Sequence, residues 1–210
     1  MYKILFLDSA TTGMSPESCA IYRLGGIFTV DAEEKLRFEL RMCPPRDAFI
    51  KKESLGICNE SVRSLSYYPD QKEAFKDFIR LLDEHVNVRD PKDKIFIGGF
   101  NTDRFEYPFL REWFRQNGNL RFKDYFYVQT IDMMSIMNLR VLTNRPNLPD
   151  FHLETAARQL GVITAWDKKY DSIRNSKVCL DMFRQVAREW CIDDCWDESV
   201  TEKTYRNFCE

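Results

Sequence analysis

The chain has 210 residues, of which 44% are hydrophobic, 30% charged and 14% aromatic. This amount of apolar material can bury a sizeable core, which excludes a largely disordered protein and favours one large domain. The formal net charge of −2 excludes a basic shell that would coat nucleic acid over the whole surface, although a local basic patch stays open.

The sequence predicts neither a membrane partner nor an export signal. Its apolar runs are shorter than the roughly 18 residues that a membrane helix needs. Residues 1–7 lack the long apolar core and the small-residue cleavage site of a secretory signal. The seven cysteines are scattered and odd in number, so we expect reduced thiols and a cytoplasmic location. Cys191 and Cys195 have no second pair nearby, which argues against a zinc site.

The first half of the chain predicts three strands. Residues 4–7 are continuously apolar, as in a central strand that is buried on both faces. Residues 20–30 and 35–42 predict two more strands, which a short polar turn connects. Because short connections favour antiparallel pairing, we expect these three strands to form an antiparallel meander.

After residue 69 the apolar residues change to helical spacing, and the predicted elements alternate. They are a helix that starts near residues 69–70 and has its apolar positions between 75 and 86, a strand over 94–100, a helix over 108–116, a strand over 128–131, and helices over 132–142, 151–160 and 170–190. Three strands followed by alternating helices and strands predict an α/β fold with a mixed sheet flanked by helices.

Asp8, directly after the first predicted strand, is the first candidate for a functional side chain. Folds of the α/β class place their active sites at the carboxyl ends of central strands. An Asp at such a strand end also commonly caps the next turn. The position of Asp8 is therefore compatible with either role.

Three segments of the chain carry motif-like patterns: residues 6–16 (FLDSATTGMSP), 99–110 (GFNTDRFEYPFL) and 170–175 (YDSIRN). In this order they resemble the three motifs of the DEDDh-type 3′→5′ exonucleases, the proofreading branch of the ribonuclease H-like fold. The resemblance implies a five-stranded mixed sheet flanked by helices. It also implies one exonuclease-like domain over 1–190, with a charged C-terminal tail over 191–210.

The resemblance implies a chemistry that this chain only partly retains. In the family, four carboxylates hold two divalent ions, Mg²⁺ or Mn²⁺, and a histidine is the general base. Asp8 matches the first carboxylate, and Glu106 stands where the second motif has Asp. The remaining positions depart from the pattern, because Ala10 replaces a Glu, Tyr170 replaces the His and Asn175 replaces an Asp.

These departures predict a pseudo-exonuclease. Ala10 has no ligand atom, and a tyrosine is a poor base near neutral pH because its pKa is about 10. Asp8 and Glu106 are the remnants of the catalytic and metal-binding set, and we expect them to bind metal weakly or not at all. We therefore expect no cofactor, and Mg²⁺ or Mn²⁺ only if residual activity remains.

The resemblance also places some segments against the substrate, and these match the family pattern better than the catalytic positions do. The predicted substrate-binding residues are Thr11, Thr12, Gly13, Met14, Asn101 and Phe105. The alternative is a structural role, in which these residues close the junction between strand and turn and fill the core. For Thr12 and Met14 both interpretations stay open, whereas Phe105 favours core packing.

Basic residues near the expected cleft can hold phosphate without metal, and aromatic residues can stack bases. The basic residues are Arg104, Arg111, Arg115, Lys168, Lys169, Arg174 and Lys177. The aromatic residues form two runs: Trp113 and Phe114, and Tyr125, Phe126 and Tyr127. Each of these residues can equally belong to a solvated helix face or to the core.

Three functions stay open on the sequence. The first is an inactive exonuclease fold that binds the 3′ end of single-stranded DNA or RNA. The second is a scaffold or inhibitor that uses the fold to bind a protein partner. The third is a weak metal-dependent 3′→5′ exonuclease that uses Asp8 and Glu106.

Overall fold

The computed structural model describes residues 1–143, 145–167 and 169–190. The predicted tail, with Cys191 and Cys195, lies outside the described residues. Within the described part, five strands form one sheet in the order β3-β2-β1-β4-β5. Their bounds are β1 Lys3–Thr11, β2 Ile21–Val30, β3 Glu33–Arg41, β4 Ile95–Gly99 and β5 Phe126–Asp132.

The pairing of the strands confirms the predicted mixed sheet. Strand β2 pairs antiparallel with both β1 and β3, whereas β4 pairs parallel with both β1 and β5. The prediction for the first strand was too short, because β1 continues past Asp8 to Thr11. Residues Asp8 and Ala10 pair with Gly25 and Arg23 of β2. Backbone pairing continues the ladder there although the apolar run has ended.

The helices surround the sheet and include all of those predicted, with shifted ends. Their bounds are α1 Lys52–Ile57, α2 Val62–Leu65, α3 Gln71–His85, α4 Glu106–Gln116, α5 Phe122–Tyr125, α6 Met133–Arg140, α7 Leu153–Gln159 and α8 Ser172–Glu189, with a 3₁₀ turn at Arg145–Asn147. Helices α1, α2 and α5 and the 3₁₀ turn were not predicted, because elements of one or two turns are too short to show a hydrophobic period. None of the helices in this part of the chain is long and apolar enough to cross a bilayer.

Two hydrophobic clusters cover the two faces of the sheet. Leu5 and Leu7 of β1 pack on one face with α3 and α4. Ile4 and Phe6 pack on the other face with α6, α7 and α8. This alternation follows from the period of two along a strand, which sends neighbouring side chains to opposite faces. The aromatic run Trp113–Phe114 is buried in the first cluster, so it belongs to the core rather than to a stacking surface.

A glycine brings the start of α8 against β2, beside Asp8. A Cβ on Gly25 would lie only 2.3 Å from the Ser172 hydroxyl, so a larger residue would push the helix away. Ser176 lies one turn later and donates a hydrogen bond of 3.3 Å to the Gly25 carbonyl. The helix was predicted to begin at residue 170, but it begins at Ser172 because the Asp171 side chain caps it. Tyr170 is therefore in the loop before the helix.

Candidate functional site

Asp8 is the centre of a hydrogen-bonded cluster between β1 and the start of α8. Its Oδ2 accepts a hydrogen bond of 2.5 Å from the Tyr170 hydroxyl and one of 3.3 Å from Asn175 Nδ2. Burial raises the pKa of Asp8 to about 7, against the lowering effect of these two bonds and of the Arg174 charge. The carboxyl therefore keeps its proton to a higher pH than an exposed aspartate does.

Glu106, the first residue of α4, is a buried carboxyl group beside this cluster. Only 4% of it is exposed, and its Oε1 accepts a 3.4 Å hydrogen bond from Ser9 while Oε2 is buried with no hydrogen-bond partner. Burial, followed by the negative charge of Asp8, raises the pKa of Glu106 well above its ordinary value. The carboxyl therefore keeps its proton to a higher pH than an exposed glutamate does.

Ala10 lies in an apolar cluster where the resembled motif has a carboxylate. Its buried neighbours there are Tyr22, Leu55 and Leu65, and the ring of Tyr170 packs against the same cluster. Helices α1 and α2, which contribute the two leucines, were not predicted from the sequence. The second carboxylate of the first motif is thus replaced by a packed apolar contact rather than by an empty position.

Arg23 also belongs to the site, and no motif in the sequence pointed to it. It is the cross-strand partner of Ala10, and its guanidinium lies 5.8 Å from the ring centroid of Tyr170. Glu60 holds the guanidinium at 2.8 Å and also accepts a 2.5 Å hydrogen bond from the Tyr68 hydroxyl. The ring of Tyr170 is thus next to this ion pair, while its hydroxyl donates to Asp8.

The two predicted residues of the second motif have structural positions: Asn101 lies in a turn, and Phe105 packs in the core. Asn101 has a φ of 64°, and its backbone N–H donates a 2.9 Å hydrogen bond to Asp132 at the end of β5. Asp132 also caps α6 by accepting from the Met134 backbone, and sequence reasoning missed it. Phe105 packs on Phe109 with ring centroids 5.0 Å apart and joins the core, as the core-packing interpretation requires.

In the predicted substrate segment at the end of β1, the threonine side chains already form hydrogen bonds within the protein. Thr11 donates a 2.6 Å hydrogen bond to the Gly13 carbonyl. Thr12 is fully buried, donates to the Phe49 carbonyl at 2.7 Å and accepts from the Ala20 backbone at 3.0 Å. Met14, in contrast, is 73% exposed and is the member of the segment whose side chain is available to a ligand.

The side chains around Asp8 do not fit a pair of divalent ions. No group of three or more His, Cys, Asp or Glu residues within the described ranges is placed to hold a metal ion. Asp8 already shares Oδ2 between two donors, and Glu106 is buried, which raises the pKa of its carboxyl. Two divalent ions so close together repel each other, and only several ionised carboxylates offset that repulsion.

The structure is similar to solved structures of exonuclease I. The zinc-bound complex of the Escherichia coli protein with single-stranded DNA matches with a TM-score of 0.70 and 19% identity, over 90% of this chain and 41% of that chain. The metal-free complex gives 0.68 and 18%, over 90% and 40%. Exonuclease I from Methylocaldum szegediense gives 0.69 and 16%, over 90% and 41%.

These matches confirm the fold that the motifs predict. The fold is ribonuclease H-like. The chain spans about two fifths of the length of the exonuclease I structures, and its identity to each of the three is below one fifth. Neither a protein-family model nor a curated protein sequence matches the chain significantly.

Proposed function

We propose that this chain binds the 3′ end of a single-stranded nucleic acid without cleaving it. The observation that carries the proposal is the 2.5 Å hydrogen bond from Tyr170 to Asp8, made where the resembled family holds a metal ion. The shared fold with exonuclease I, solved with single-stranded DNA, supports a nucleic-acid ligand. The expected single domain over 1–190 and the cytoplasmic location belong to this proposal.

The loss of catalysis is supported by Tyr170, which lies beside Asp8 where the resembled motif has its histidine base. Burial and the charge of Asp8 raise the pKa of Tyr170 well above 10, so the hydroxyl keeps its proton. The two histidines of the chain are engaged elsewhere. The ring of His85 stacks on Phe28 with centroids 4.4 Å apart, and His152 lies 3.6 Å from Asp150.

The retention of binding is supported by the reduced negative charge of the cleft. Ala10 and Asn175 remove two carboxylates relative to the family pattern, and burial raises the pKa of both Glu106 and Asp8. A phosphate backbone therefore meets less repulsion than metal-free carboxylates would cause. The exposed Met14 supplies an apolar contact for a terminal base.

Binding and cleavage assays test this proposal together. We expect labelled single-stranded DNA or RNA with a free 3′ end to bind in EDTA and to keep its length when Mn²⁺ is added. An absence of binding in EDTA would favour the scaffold or inhibitor hypothesis. Shortening that requires Mn²⁺ and is abolished by Asp8→Ala would instead establish a weak exonuclease.

A further inference from the structure

We infer that Arg174 binds the terminal phosphodiester of the nucleic acid, in the role that metal ions have in an active nuclease. This inference rests on the proposed function and adds the group that recognises the strand end. Arg174 lies in the first turn of α8, directly before Asn175, whose side chain contacts Asp8. The guanidinium is therefore at the edge of the rebuilt cluster.

Two contacts hold the guanidinium of Arg174 in place. It lies 4.8 Å from the ring centroid of Trp166, and its Nη2 donates a 2.7 Å hydrogen bond to the Lys169 carbonyl. The Arg174 side chain is 27% exposed, so one edge of the fork remains open to solvent. A guanidinium that is already oriented loses little rotamer freedom when it binds phosphate.

The donors of Arg174 are incompletely used within the described residues. Nε is buried without a hydrogen-bond partner, and Nη1 has only a loose ion pair of 3.8 Å with Asp167. The Asp167 carboxylate is 71% exposed, so water competes strongly for that pair. Nη1 is therefore the donor left for a phosphate oxygen, which can accept a charge-assisted hydrogen bond from it.

Two of the other basic residues expected near the cleft already have a charged partner. Arg115 is bound to Glu112 at 2.6 Å, and Lys177 forms an ion pair with Asp181 one turn along α8. Lys168 lies outside the described residues. The charge of Arg174 also reaches Asp8, where it lowers the pKa against the effect of burial. Arg174 is thus a partly exposed cation whose field extends to the centre of the site.

Fluorescence anisotropy in EDTA with linear single-stranded DNA tests this inference. We expect Arg174→Met to weaken binding about tenfold, the typical effect of one charge-assisted hydrogen bond. The slope of log Kd against log salt should fall by roughly 0.7, because one phosphate contact is lost on a single strand. Lys177→Met, on the same helix but paired with Asp181, is the matched control and should leave both quantities unchanged.

A circular single strand of the same sequence separates end recognition from general charge attraction. We expect the unmodified protein to bind the circle more weakly than the linear strand, and Arg174→Met to have no effect on the circle. Arg174→Lys keeps the charge but not the planar fork, so it should recover part of the affinity and guards against a folding defect in the methionine variant.

The outcomes distinguish this inference from the proposed function. If the unmodified protein binds neither strand, the proposed function fails and the inference fails with it. If the unmodified protein binds the linear strand and Arg174→Met binds it equally well, the inference alone is wrong. An equal loss on linear and circular strands would also overturn it, since the contact would then not be at the end.

Discussion

The cluster around Asp8 and the junction around Thr12 lie at the same end of β1, yet they differ in what they retain. At the junction, Thr12 matches the family pattern, and its hydroxyl joins Phe49 and Ala20. At the cluster, Ala10, Tyr170 and Asn175 differ from the pattern and pack or bond with new partners. The residue that matches the pattern at the junction holds the backbone together, whereas the residues that differ from it at the cluster contact Asp8 or its apolar surroundings.

The largest expected effect concerns the pH dependence of stability that the Asp8 cluster imposes. The pKa of Asp8 rises from 3.8 to about 7 on folding, so the folded state binds more protons than the unfolded state in that window. Stability should therefore fall as the pH rises from 4 to 7, by up to about 4 kcal/mol from this group.

Urea unfolding at several pH values measures this dependence. Asp8→Asn should flatten the curve between pH 4 and pH 7, because the hydrogen-bonded side chain no longer ionises. Glu106 shifts in the same direction, so Glu106→Gln is the parallel variant that separates the two contributions. A stability that rises with pH in both the unmodified protein and Asp8→Asn would contradict the raised pKa.

The second-largest effect is expected where α8 packs against β2 and so brings Tyr170 and Asn175 to Asp8. Gly25→Val places a side chain within 2.3 Å of the Ser172 hydroxyl and should cost about 3 kcal/mol of stability. It should also separate Tyr170 and Asn175 from Asp8. Gly56→Ala is the control, since a Cβ there meets no atom within 4 Å and the helix α1 should gain about 0.5–1 kcal/mol.

A smaller loss is expected at the junction. Thr12→Val keeps the shape of the side chain but leaves the Phe49 carbonyl and the Ala20 N–H without their partner. The cost should be about 2 kcal/mol, because unsatisfied buried polar groups typically cost 1–3 kcal/mol each. A change below 0.5 kcal/mol in urea unfolding would mean that water replaces the threonine, and that the junction is less dependent on this hydroxyl than the comparison suggests.

The smallest effect concerns the exposed part of the junction segment. Met14→Ala should leave stability within about 0.5 kcal/mol, as expected for an exposed side chain. We expect it to weaken binding of single-stranded DNA about fivefold, since an apolar contact with a base contributes at the lower end of the roughly 1–3 kcal/mol that base–aromatic stacking gives. Anisotropy in EDTA measures the affinity, and Met14→Leu, which keeps the apolar surface, should bind nearly as well as the unmodified protein.

The sequence alone determined the sheet and the position of Asp8. Apolar runs of strand length, short connections and a later helical period were sufficient for the order of the elements, because both periods follow from local geometry. The sequence also showed that Ala10, Tyr170 and Asn175 differ from the resembled motifs, because each motif position has a known chemical role. The short helices α1 and α2 carried no comparable signal, although they close the apolar cluster around Ala10.

Only the tertiary structure decided which groups surround Asp8. Tyr170 and Asn175 reach Asp8 across 162 and 167 residues of chain, and Arg23 meets the ring of Tyr170 only through the register of β1 and β2. The protonation of Asp8 and Glu106 likewise depends on burial by distant segments. Desolvation and hydrogen-bond geometry depend on which groups meet in space, and no local pattern in the sequence records those encounters.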